Sequence, residues 1–95
     1  MKGISMEIKW QVNQEVLSSK IDEEAILMSI EADRYFSLEP VASRIWEILS
    51  EKAASINELV AMLMDEYEVD ETTCREDVQQ FLEEMSQRHL IQQLP

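Results

Sequence analysis

Chemistry in a small protein needs residue types that can attack a bond, exchange protons or hold a metal, and this sequence supplies them singly. His89 is the one histidine, with no second His and no cysteine beside it, so a zinc site lacks its donors. A surface or helix-end position suits it, because a cation is favoured at the negative end of the helix dipole. Cys74, the one cysteine, cannot close an internal disulfide and reads as a small, partly buried thiol. Asp22, Glu23 and Glu24 are adjacent carboxylates without the alternating ligands, central glycine and distant glutamate of a calcium loop. They read as a polar turn. Glu31 and Asp33 resemble an acid pair, but the sequence sets no nucleophile, base and stabilising group around them. Ser43, Ser50 and Ser55 have no glycine elbow, and with Gly3 as the single glycine there is no loop to cradle phosphate. No catalytic residue, metal ligand or cofactor is therefore expected.

The elements that must position these residues fall into two halves. Val16 to Asp22 has apolar residues around a polar centre, and Ala25 to Ile30 is a nearly continuous apolar run of strand length. Arg34 to Leu38 carries Tyr35, Phe36 and Leu38, which suit a pleated, half-buried surface. Turns at Asp22-Glu23-Glu24 and Glu31-Ala32-Asp33 join the three into an antiparallel meander. Ile8 to Val12 reads as a further edge strand or an arm, within a possible amino-terminal arm over residues 1–14. Pro40 opens the first helix, where its missing N–H costs nothing. The helix continues with Val41, Ile45, Trp46, Ile48 and Leu49 on one stripe. Ser55 and Glu58 have capping-box spacing ahead of Ile56, Leu59, Val60, Leu63 and Met64, a second helix ending near Tyr67. Asp70 caps a third helix whose stripe is Cys74, Val78, Phe81, Leu82 and Met85. His89 to Leu94 follows as a short strand or tail. The expected fold is α+β, a small winged-helix-like domain in which a three-stranded meander precedes three helices.

Ninety-five residues suffice for one domain with one core, spanning 1–95, and leave no room for a deep site between lobes. No apolar run approaches a membrane span and the amino terminus lacks signal-peptide features, so a cytoplasmic protein is expected. Twenty acidic residues against eight basic ones give a net charge of −12, which repels phosphate backbones. The third helix is itself acidic, unlike the basic recognition helix of a winged-helix nucleic-acid binder. Neither nucleic acid nor membrane is an expected partner.

The order of elements, together with Tyr35-Phe-Ser-Leu38 leading to Val41-Ala-Ser-Arg-Ile-Trp-Glu-Ile-Leu49, Ser55-Ile-Asn-Glu-Leu-Val60 with Leu63, and Val78-Gln-Gln-Phe-Leu82 with His89-Leu-Ile91, resembles the PqqD-like family. These are leader-recognition domains (RiPP recognition elements) that serve the biosynthesis of ribosomally made, modified peptides. The Tyr-Phe-x-Leu strand and Ile-Trp-Glu helix look most like the stand-alone leader-binding proteins of lasso-peptide pathways. Two departures stand out: Glu39 where an Asn is usual near the first helix, and His89 where a Gly is common. The resemblance implies a protein that catalyses nothing and binds the leader of a precursor peptide by β-augmentation. The leader would pair with the edge strand Arg34, Tyr35, Phe36, Ser37 and Leu38, against a third-helix wall around Arg75, Val78, Gln79 and Leu82. It further implies delivery of the peptide to a leader peptidase and a cyclase. Family leaders of this type carry basic residues, which the acidic third helix would attract. The competing reading is an acidic scaffold or regulatory protein that binds a folded partner.

Overall fold

Residues 8–94 are described by the structure, a computed structural model. In chain order the elements are β1 (Lys9–Val12), β2 (Val16–Ile21), β3 (Glu24–Ser29), β4 (Arg34–Ser37), α1 (Pro40–Glu51), β5 (Ala54–Ser55), α2 (Ile56–Glu66), α3 (Glu71–Gln87) and β6 (Ile91–Gln93). The expected meander is the antiparallel sheet β2-β3-β4, running in register from Val16↔Ser29 to Ile21↔Glu24 and from Ile26↔Ser37 to Ser29↔Arg34. Both of its turns need a residue in the left-handed region, and aspartate supplies it each time, Asp22 at φ 58° and Asp33 at φ 53°. Side chains alternate across β3: Ala25, Leu27 and Ser29 are buried under α1, while Ile26 and Met28 lie half-buried on the outer face.

The stretch read as an edge strand or arm is neither. β1 is the middle strand of a second sheet, β5-β1-β6, in which Trp10 pairs with Ala54 on one side and Gln93 on the other. Its partners come from distant parts of the chain, so no local pattern announces them. Residues 1–7 of the expected arm lie outside the described residues.

The helices follow their stripes closely. α3 buries Cys74, Val78, Phe81, Leu82 and Met85, and α2 buries Leu59, Val60 and Leu63 against it. Val41 and Met64, both expected on buried stripes, are instead 44% and 40% exposed, because they lie at the borders of their apolar faces. The capping box forms in full: the Glu58 N–H donates to Ser55 Oγ (3.1 Å) and the Ser55 N–H to Glu58 Oε1 (2.9 Å). At the start of α3, Asp70 Oδ2 accepts from the Thr73 N–H at 3.0 Å, which holds the Asp70 carboxyl below its ordinary pKa. Burial pushes the Cys74 thiol up, as befits an inert core residue.

α3 ends in a Schellman motif. The His89 N–H donates to Ser86 O (3.0 Å) and the Leu90 N–H to Met85 O (2.9 Å), with His89 at φ 61°. This is the position where glycine is common in such motifs, and a side chain there strains the backbone. His89→Gly should stabilise the domain by about 1 kcal/mol, since relief of strain outweighs glycine's extra entropy in the unfolded chain. Urea denaturation of the two proteins measures it, and a less stable glycine variant would show that the imidazole makes a compensating contact.

Candidate functional site

The site is built at the open side of the first sheet. β4 pairs with β3 and, among the described residues, with no other strand. Which backbone groups are left free follows from the register. The Leu38 N–H donates to Ala25 O at 2.9 Å, so Leu38, Phe36 and Arg34 point their backbone groups toward β3, while those of Tyr35 and Ser37 point to the open edge. An unpaired edge of this kind offers an extended segment a ready hydrogen-bonding template.

Ser43 locks this edge to the core. Its hydroxyl accepts from the Ala25 N–H (2.7 Å) and donates to Leu38 O (3.0 Å), bridging the last rung of the β3–β4 ladder from within α1. The serine is 4% exposed, and both of its hydrogen bonds tie the β3–β4 ladder to the helix.

Side chains on β4 divide by face. Tyr35 projects outward and is 71% exposed; with Leu17 and Met28 it forms a cross-strand row on the outer side of the sheet. Phe36 is half-buried against the core, and Leu38 is buried within it. Two guanidinium groups lie over the Phe36 ring, Arg34 at 5.6 Å and Arg88 at 5.1 Å from the centroid. The second contact brings the end of α3 to β4. Beyond it a groove of about 310 Å³ opens between the start of α1 and α3, lined by Val41, Ile45 and Phe81 with Glu39, Asp77 and Glu84.

The α3 wall that the family resemblance implies is distributed differently. Val78 and Leu82 are core side chains, 0% and 3% exposed, and as such offer no surface to a ligand. Arg75 is turned to α2, donating to Asn57 Oδ1 (2.7 Å) and pairing with Glu71 (3.2 Å). Gln79 is exposed. The face directed at the groove and β4 is Asp77, Gln80, Phe81, Glu84 and Arg88, a stripe at i, i+3, i+4, i+7 and i+11. Arg88 was missed. The signal that finds it is this second helical stripe beside the core stripe.

Among the described residues no group of three or more His, Cys, Asp and Glu is placed to hold a metal, and no helix is long and apolar enough to cross a membrane.

What this geometry defines is a small α+β domain in which the outer edge of β4 lies beside a helix-walled groove. The model of the family described as coenzyme PQQ synthesis protein D (PqqD) matches residues 24–91, and the chain belongs to that family. Among solved structures, TbiB1 in complex with the TbiA(beta) leader peptide is 33% identical over 86% of this chain and 94% of its own, with a TM-score of 0.80. Lasso peptide synthetase B1 complexed with the leader peptide shares the fold, at 21% identity, with a TM-score of 0.75 over 90% of this chain and 98% of its own. No curated protein sequence matches the chain.

Proposed function

We propose that this chain recognises the leader segment of a ribosomally made precursor peptide by β-augmentation on β4, catalyses no reaction itself, and delivers the peptide to a leader peptidase and a cyclase of a lasso-peptide pathway in the cytoplasm. The observation that carries this reading is the free edge of β4, with the Tyr35 and Ser37 backbone groups facing outward next to the groove of α3. The complexes of the two structural relatives with leader peptides support it. Arg34 to Leu38 form the pairing strand, Phe81 and Arg88 stand at the groove, and Val78 and Leu82 hold α3 in place beneath it. Arg75 and Gln79 flank that wall on the remaining surface of the helix. A receiving enzyme has its own place to dock, the outer row of Leu17, Met28 and Tyr35, so binding a folded partner complements peptide recognition.

The test is to titrate the purified protein with a candidate leader peptide and to follow association by stopped-flow at low and high salt. Saturable binding is expected. With a net charge of −12 and Glu71, Glu76, Asp77, Glu83 and Glu84 exposed on α3, a basic leader should associate more slowly as salt rises, while dissociation changes little. A dissociation rate that climbs with salt would mean that exposed ion pairs, and not strand pairing and the groove, hold the peptide.

A further inference from the structure

Four of the seven cationic side chains among the described residues are neutralised. Lys9, Lys20, Arg44 and Arg75 each lie within 3.3 Å of a carboxylate. Lys52, Arg34 and Arg88 make no ion pair among the described residues, although the chain carries twenty acidic residues, and of these three only the arginines stand beside β4. Glu84, one turn before Arg88, accepts instead from Gln80 Nε2 at 3.3 Å. The two unpaired guanidinium groups converge on one ring, that of Phe36. A guanidinium lying over an aromatic face keeps its N–H edge free to form a two-pronged hydrogen bond. Two cations within 5.6 Å of the same ring centroid add their potentials beside the β4 edge, which favours an anion there.

We propose that Arg34 and Arg88 form a carboxylate-binding subsite that takes an aspartate or glutamate side chain of the bound peptide. The proposal rests on β4 being the edge to which the leader adds. Arg34 and Phe36 share one face of β4, so every second side chain of an added strand falls on that same face, toward Arg88. A carboxylate there meets two charge-assisted donors, while a basic or apolar residue meets repulsion or nothing to pair with. The subsite therefore fixes the register of the leader along β4: a one-residue slip turns the acidic side chain to the opposite face. Overall negative charge attracts the peptide, and this local positive pair sets where it stops.

The experiment is a double-mutant cycle. The probe is a synthetic leader peptide that the parent protein binds in the titration above, with each Asp or Glu replaced in turn by its amide. The proteins are the parent, Arg34→Gln and Arg88→Gln, both arginines being exposed and outside the core. One amide replacement is expected to weaken binding to the parent by about tenfold and to have little effect on the Arg88→Gln protein, as coupled partners require. Tight binding of the leader with no acidic position coupled to either arginine overturns the subsite and leaves β-augmentation standing. Failure of the parent to bind a leader in that titration overturns the recognition reading, and the subsite with it.

Discussion

Trp46→Ala should unfold most of the domain at physiological temperature. Trp46 is 4% exposed on the buried side of α1, between Ile45 and the Ile48–Leu49 pair, all of them core. Truncating a buried tryptophan to alanine costs about 3–5 kcal/mol through lost burial and the cavity left behind. Domains of this size sit toward the low end of the usual range of roughly 5–15 kcal/mol, so little stability would remain. The indole Nε1 adds a distinguishing detail, because it is buried without a hydrogen-bond partner among the described residues. Trp46→Phe keeps an aromatic ring in the core and removes that orphaned donor, so it should cost much less than the alanine change. Thermal melts of the three proteins decide the matter. An alanine variant that melts like the parent would show that the side chain does not support the core.

Ser37→Pro should leave the fold intact and weaken leader binding by about 10- to 100-fold, the effect of losing one edge hydrogen bond and stranding its acceptor in the peptide. The physical reason lies in the register. The Ser37 N–H points away from β3, so a proline there takes nothing from the β3–β4 ladder, and edge strands accept proline on their outward side. Phe36→Pro supplies the contrast, since the Phe36 N–H faces β3 and its removal should disturb the sheet itself. Calorimetric titration and circular dichroism separate loss of binding from loss of structure. A folded Ser37→Pro protein with parental affinity would move the binding edge elsewhere.

What could be read from the residues alone was whatever depends on neighbours in sequence. The stripe Cys74, Val78, Phe81, Leu82 and Met85, the Ser55 capping box and the Asp70 cap all appear as expected, since each is settled within one or two helical turns. The meander was legible for the same reason: its strands follow one another through short turns. The second sheet was not, because Lys9–Val12 has an ordinary apolar pattern and meets its partners only in space. The candidate site divides along the same line. Arg34 to Leu38 stood out by composition and position, whereas an apolar stripe does not say which of its borders faces a groove. Val78 and Leu82 stand in the expected wall through the family resemblance alone, and they form the buried centre of the stripe. Arg88 and Ser43 matter only through contacts with Phe36, Ala25 and Leu38, which belong to other elements.

The two sheets also differ in when they can form. β2, β3 and β4 are contiguous, so their hairpins can close while the chain is still short. β1 must wait, because Val12 pairs with Ile91 and Trp10 with Gln93, and that closure spans nearly the whole chain at the entropic cost of a long loop. On a ribosome, the strand that opens the domain stays without its last partner until β6 has emerged. The meander that carries the free edge thus has a head start on the sheet that seals the chain's two ends together.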